Sequence, residues 1–211
     1  SALAHLEVQG NGSCGDIAAS CYGGWIAFST FDPQWVKTAQ ETLTMTELLQ
    51  ATWPQLMIQP LAAPKNLRLL IGWTGSPAST SDLVDQVHES KEHRQERYRE
   101  FLADSRQCVE EMIQAFNQKN IPLIKEKIIE NRGLLHRLTR ITGVVIETPA
   151  LKTMCDLATQ YHGAAKFSGA GGGDCGIVIT DQKTGILPLM SAWEKAEIIP
   201  LPLHVYHYPQ N

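Results

Sequence analysis

The run Lys166-Phe167-Ser168-Gly169-Ala170-Gly171-Gly172-Gly173-Asp174-Cys175-Gly176 decides the reading of this 211-residue chain. Four glycines in five positions strip the side chains from a loop, so something must approach its backbone closely. The flanking runs, Ala164 to Ser168 and Cys175 to Thr180, read as short buried strands. The glycines therefore belong to a tight strand-to-strand turn whose free N–H groups can form an anion nest, with phosphate the natural guest. A dinucleotide fingerprint is not met, because Asp174 stands where G-x-G-x-x-G needs glycine and the chain continues into strand-like Gly176-Ile177-Val178-Ile179 rather than helix. No G-x-x-x-x-G-K-[ST] occurs, which excludes a P-loop. A ligand-free glycine hairpin is the plain alternative.

A second glycine-rich element stands near the start, Gln9-Gly10-Asn11-Gly12-Ser13-Cys14-Gly15-Asp16-Ile17-Ala18-Ala19-Ser20-Cys21-Tyr22-Gly23-Gly24-Trp25. A loop there runs into a small-residue helix from about Cys14 to Tyr22 that stops at the glycine pair. Ser13 and Asp16 form S-x-x-D, which on local pattern favours a capping box at the positive helix end. A carboxylate in that position is also able to orient a substrate hydroxyl or take its proton.

Composition restricts the partners. With 43% hydrophobic and 19% charged residues the chain is an ordinary globular one, long enough to bury a substantial core. A net charge of −4 argues against nucleic acid. No apolar run reaches the roughly 20 residues that span a bilayer. Five scattered cysteines, Cys14, Cys21, Cys108, Cys155 and Cys175, suggest a reducing cytoplasm and no disulfide scaffold. None pairs with histidine at zinc spacing, so no metal site is expected from protein ligands. For Cys175 a small buried role is favoured over a nucleophile's, since nothing nearby in sequence would lower its pKa.

The pattern along the chain is mixed. Trp25 to Ser29 and Leu67 to Trp73 read as strands, Leu56 to Leu61 as a weaker one interrupted by prolines, and Asp32 to Trp53 as one or two helices stopped at Pro54. From Ser81 the chain turns helical. Tyr98, Phe101, Leu102, Val109, Met112, Ile113 and Phe116 recur at three- and four-residue steps and predict one buried face, while the alternating charges of Glu89 to Glu100 predict a solvated one. A second helix runs from Pro122 to about Ile141 with Ile124, Ile128, Leu135 and Leu138 on one side, and a third from Thr148 to Tyr161. Leu203-His204-Val205-Tyr206-His207-Tyr208 predicts a closing edge strand. The order helix, glycine hairpin, helix, final strand suits an α+β sandwich.

The glycine hairpin from Ser168 to Asp174, the Asn11-Gly12-Ser13-x-Gly15-Asp16 element and the segment Ile71-Gly72-Trp73-Thr74-Gly75-Ser76-Pro77-Ala78-Ser79-Thr80-Ser81 together resemble the superfamily of galactokinase, homoserine kinase, mevalonate kinase and phosphomevalonate kinase, on its bacterial phosphomevalonate branch. The resemblance spans nearly the whole chain. It implies an α+β fold with helices packed on an antiparallel, ferredoxin-like sheet, divided into residues 1–55 (the end of a catalytic domain, with the aspartate loop) and 56–211 (with the glycine motif). It implies ATP and Mg²⁺ as cofactors and 5-phosphomevalonate as the small-molecule partner, with no nucleic acid, no membrane, a cytoplasmic setting and a homodimer left open. Carried over residue by residue, Asp16 is catalytic, Asn11 and Ser13 hold the acceptor, and Ser168, Gly169, Ala170, Gly171, Gly172 and Gly173 lie beside the transferring phosphate. An acceptor that already carries a phosphate needs a further anion site. Ser79 and Ser81, in Ser79-Thr80-Ser81-Asp82, and Arg132 are candidates, although a helix cap and a solvated arginine explain the same residues. The superfamily's P-x-x-x-G-L-G-S-S-A loop is absent, and Ser1 to Leu6 reads as the tail of a helix already under way. The chain is thus expected to be the C-terminal portion of a kinase whose N-terminal part supplies the rest of the ATP site. Mevalonate kinase, and a non-catalytic fragment, are the alternatives.

Overall fold

Branched and aromatic residues bracketed by Gly24 and Phe31 make Trp25–Ser29 (β1) a strand, and it pairs antiparallel with Met57–Leu61 (β2). The computed structural model describes residues 2–9, 12–77, 87, 95–181 and 185–206. They fall into two compact units, the first running to Leu61 and taking in Val205 and Tyr206, the second running from Ala62 to His204.

In the first unit, helices Ala2–Gln9 (α1) and Gly15–Tyr22 (α2) precede β1, and Pro33–Thr42 (α3) and Met45–Gln50 (α4) follow it. The interval from Asp32 to Trp53 thus holds two helices, each with its own start signal. Asp32 caps α3 by accepting from the Gln34 and Trp35 N–H groups at 2.9 and 3.2 Å, and Thr44 with Glu47 forms a capping box on α4. Cys14, Phe31 and Val36 form the core of this unit, with the Phe31 ring edge-on to Trp53 at 5.1 Å.

The second unit is built on a four-stranded antiparallel sheet in the order β4-β5-β3-β6: Ala164–Phe167 (β4), Cys175–Asp181 (β5), Leu67–Trp73 (β3) and Ile199–Leu201 (β6). Long helices Gln95–Asn117 (α5) and Ile121–Thr142 (α6) are followed by Pro149–Gln160 (α7), and Ile186–Lys195 (α8) leads into β6. Helices α6 and α7 pack on β4 and β5, giving the α+β arrangement anticipated from the sequence. One cluster joins Leu70, Val178 and Ala165 of the sheet to Met154, Cys155, Leu189 and Trp193 of α7 and α8; a second joins Phe167 to Phe101, Leu138, Ile146 and Leu151. Gly176 has a packing role here. A Cβ on it would sit 2.1 Å from the Met154 Cε, so only a bare backbone lets Met154 lie on β5.

Two expectations are corrected. Leu102 and Val109 are exposed, and Cys108 and Ala115 take the inner face of α5 with Phe101 and Phe116, because the buried stripe drifts away from the bulkiest side chains. The last strand is not Leu203 to Tyr208. The described part of that stretch, 203–206, is not strand, and β6 lies earlier at Ile199–Leu201, where Pro200 is tolerated because β6 is an edge strand paired only with β3. The charged residues among 95–100 are all exposed, with only Tyr98 half-buried between them, while residues 89–94 of that charged segment lie outside the described residues.

Candidate active-site elements

Helix α2 begins one residue later than its sequence suggests, and Ser13 is not its cap. Cys14, at φ 59°, is the N-cap and makes no side-chain capping bond. Ser13 Oγ accepts from the Gly15 N–H at 3.3 Å, and the Thr30 hydroxyl donates to the Ser13 carbonyl at 3.0 Å, so the serine is held in the loop before the helix. The reciprocal capping box expected of Ser13 and Asp16 therefore does not form. Asp16 stands in the first turn of α2, exposed; its backbone carbonyl accepts from the Ser20 hydroxyl at 2.8 Å, and its carboxylate accepts from no donor among the described residues. Its carboxylate stands at the positive end of a helix, a position that suits a negative charge or a bound anion. Gly12, at φ 118°, brings the chain past His5 so closely that a Cβ would meet the imidazole Nε2 at 2.8 Å. Asn11 lies outside the described residues.

The glycine loop joins β4 to β5 as the sequence indicated. Ser168 closes the hairpin by donating its N–H to the Cys175 carbonyl at 2.9 Å. Asp174, in the left-handed region at φ 60°, is tied to the end of β3 from both sides. Its carbonyl accepts from the Thr74 N–H and the Thr74 hydroxyl, both at 2.9 Å, and its N–H donates to the Ser76 carbonyl at 2.7 Å. Between these ties Gly169, Gly171, Gly172 and Gly173 all have positive φ, from 60° to 139°. Gly172 donates its N–H to the Ile146 carbonyl at 2.6 Å. The N–H groups of Gly169, Ala170 and Gly173 have no acceptor among the described residues, the condition an anion nest requires. Ser168 is exposed at the loop's entry.

Gly171 is the position where glycine is indispensable. A Cβ there would lie 2.4 Å from Ile146 Cγ2 and 2.5 Å from the Ile146 carbonyl oxygen, at a φ of 82°.

Arg132, expected at a substrate phosphate, is occupied by carboxylates of this chain. Its guanidinium grips Glu147 bidentately, with Nε donating to Oε2 at 3.1 Å and Nη2 to Oε1, and Nη2 also reaches Asp156 Oδ1 at 3.2 Å. His136, one turn along α6, meets the same Glu147 through Nε2. Burial alone would raise the Glu147 carboxyl, but the hydrogen bonds from Arg132 and His136 and their charge hold it below the ordinary glutamate value. Burial opposes the charged form of Arg132, and Glu147 more than offsets it. Sequence reasoning gave Glu147 no role, and its partners stand 15 and 11 positions away, beyond any local pattern.

Lys166, the residue before Phe167 on β4, received no role from the sequence either. Burial pushes its ammonium below the ordinary lysine value, its Nζ lies 5.7 Å from the Phe167 ring centroid, and it forms no ion pair among the described residues. A lone lysine in an otherwise apolar strand is the signal that marks it. Cys175 is half-buried, with its thiol 3.8 Å from Asp174 Oδ1. Burial and then the Asp174 charge raise its pKa, against a nucleophilic role. Burial pushes Cys108 up to about 11 and Cys155 up to about 12, so both are packing thiols. Ser79 and Ser81 lie outside the described residues. Among the described residues no three His, Cys, Asp or Glu side chains converge as a metal site, and no helix is long and apolar enough to cross a membrane.

Residues 112–196 match the family model of the GHMP kinases C terminal domain, which covers the end of α5 through α8 and includes the glycine loop. The chain is 38% identical over 203 residues to a phosphomevalonate kinase from Streptomyces sp. (strain CL190), covering 95% of this chain and 54% of that protein. It thus spans about half the length of the curated relative it matches. A crystal structure of the Lin0012 protein from Listeria innocua superposes with a TM-score of 0.90 at 44% identity, over 98% of this chain and 58% of that one. Streptococcus pneumoniae phosphomevalonate kinase in complex with phosphomevalonate and AMPPNP superposes at 0.80 with 27% identity, over 95% and 58%.

Proposed function

We propose that this chain, which carries a GHMP kinase C-terminal domain and is similar along nearly its whole length to phosphomevalonate kinase, supplies the acceptor-side aspartate and the phosphate loop of such an enzyme. The reaction is transfer of the ATP γ-phosphoryl group to the phosphate of 5-phosphomevalonate, giving 5-diphosphomevalonate and ADP in the mevalonate route to isoprenoids, in the cytoplasm. The observation that carries this reading is the glycine loop: three amides without acceptors among the described residues, on a backbone fixed at both ends and pinned at Gly172. The similarity to phosphomevalonate kinases supports the choice of acceptor.

The transition state of such a transfer is loose, with charge spread over phosphoryl oxygens, so positioning and charge neutralisation do most of the work. The amides of Gly169, Ala170 and Gly173 donate to phosphoryl oxygens from positions that need no reorganisation when charge develops. Ser168, exposed at the same loop, adds a hydroxyl donor. ATP brings Mg²⁺ with it, but the described residues do not form a cage for that ion. The acceptor phosphate is largely ionised near neutral pH, so a general base contributes little there. Asp16 accordingly orients the acceptor, with Ser13 and Asn11 beside it in sequence, and Ser79 and Ser81 are the hydroxyls for the phosphate the acceptor already carries. Arg132 serves the loop from behind rather than the substrate.

The test is Asp16→Asn in the polypeptide from the complete reading frame, assayed with phosphomevalonate and saturating MgATP. A loss in kcat of more than about tenfold, or roughly 1.4 kcal/mol of transition-state stabilisation, is expected. A smaller loss takes Asp16 out of the mechanism.

A further inference from the structure

Glu147 is an acid in a short connection between α6 and α7, with its side chain only 5% exposed, and it draws two partners, Arg132 and His136, from α6. A carboxylate so deeply withdrawn from water costs free energy unless it is fully paired, and an uncompensated one costs more still. The fork of Arg132 and the imidazole of His136 satisfy both oxygens, and Asp156 holds the outer face of the guanidinium. The residue before Glu147 is Ile146, whose carbonyl accepts the Gly172 N–H at 2.6 Å and whose side chain fills the space where Gly171 lacks one. The residue after it is Thr148, which caps α7 by accepting the Leu151 N–H at 3.3 Å. The backbone that clamps the middle of the glycine loop is thus fixed on one side by a helix cap and at its centre by a buried ion pair.

We propose that Glu147, gripped by Arg132, is a positioning residue for the glycine loop, fixing the Ile146 carbonyl that takes the Gly172 amide and so keeping the neighbouring free amides aimed at phosphate. The inference rests on the phosphoryl-transfer reading for its consequence, though the coupling it describes belongs to the fold. A purely structural ion pair would stabilise the whole second unit. A positioning pair acts locally, because its partners lie on α6 and α7 while its effect is delivered through one peptide to the loop. Arg132 is suited to this and lysine is not, since only the planar fork fixes a carboxylate in two directions at once.

The experiment compares Glu147→Gln and Arg132→Lys with the parent, in the polypeptide from the complete reading frame. Amide hydrogen exchange is read at Gly172 and at Val178 in the middle of β5, together with the KM for ATP and kcat. Both variants are expected to speed Gly172 exchange by at least about tenfold while Val178 changes less than about twofold, as loss of a charge-assisted bond near the loop requires. Where the parent turns over, KM for ATP is expected to rise more than kcat falls. Arg132→Lys keeps a cation beside Glu147 and serves if Glu147→Gln fails to fold. Unchanged Gly172 exchange, or equal acceleration at Gly172 and Val178, overturns the inference. A parent that transfers no phosphoryl group overturns the kinase reading instead, and the exchange comparison still decides the positioning role.

Discussion

Replacing Gly171 by alanine, with Gly169→Ala as its control, isolates the contact between the glycine loop and Ile146. Both residues have positive φ, 82° and 60°, so each substitution places a Cβ in the left-handed region at a cost of roughly 1–2 kcal/mol. The entropy that alanine removes from the unfolded chain is common to both and cancels in the comparison. They differ in what the new methyl meets. At Gly169 nothing lies within 4 Å, whereas at Gly171 the Cβ would be 2.4 Å from Ile146 Cγ2 and 2.5 Å from the Ile146 carbonyl oxygen. The second atom is backbone, in a segment whose carbonyl already holds Gly172, so it cannot give way without breaking that bond. Forced overlap in a packed region adds about 1–3 kcal/mol. At roughly 2–4 °C per kcal/mol for a chain of this size, Gly171→Ala should melt several degrees below Gly169→Ala. Thermal unfolding followed by circular dichroism measures the difference. Equal melting temperatures, or a lower one for Gly169→Ala, would refute the claim that Ile146 clamps the loop.

Further outcomes follow from the same geometry. Gly176→Ala drives a methyl into Met154 and should destabilise by about 1–3 kcal/mol, with a clearly smaller penalty in a Met154→Ala background, a non-additivity that urea unfolding of the four variants would measure. Thr148→Ala removes the cap of α7 and should cost about 1 kcal/mol in the same assay. Glu147 has its folded pKa below the ordinary glutamate value, so its contribution is complete above that value and is lost as pH falls through the folded one. The parent should therefore lose stability faster than Glu147→Gln as pH is lowered below the usual glutamate range. Parallel acid unfolding curves would contradict this.

Elements whose identity depends on neighbours in sequence were legible in advance, and those that depend on distant partners were not. β1, β3 and β5 declare themselves through short runs rich in branched and aromatic residues, and β4 with the glycine hairpin through its place between Gly163 and the glycine run. β6 escaped because Ile199–Leu201 is three residues long with a proline at its centre, and only its pairing with Ile71 to Trp73 makes it a strand. The inner face of α5 was misread at Leu102 and Val109 because size was taken for burial, whereas Cys108 and Ala115 fit a tight contact with α6 that larger residues would not. At Ser13 the pattern of a capping box is present, but the left-handed Cys14 displaces the serine from the cap. Arg132 is a candidate for a substrate phosphate by sequence; its partners among the described residues are the carboxylates of Glu147 and Asp156, brought together by the turn between α6 and α7, which no local pattern announces.

The most direct test of the account is ADP release by the polypeptide from the complete reading frame, with 5-phosphomevalonate and mevalonate offered separately at saturating MgATP. The account predicts turnover with phosphomevalonate alone. Turnover with mevalonate alone would contradict the assigned acceptor, and silence with both would contradict the phosphotransferase reading itself.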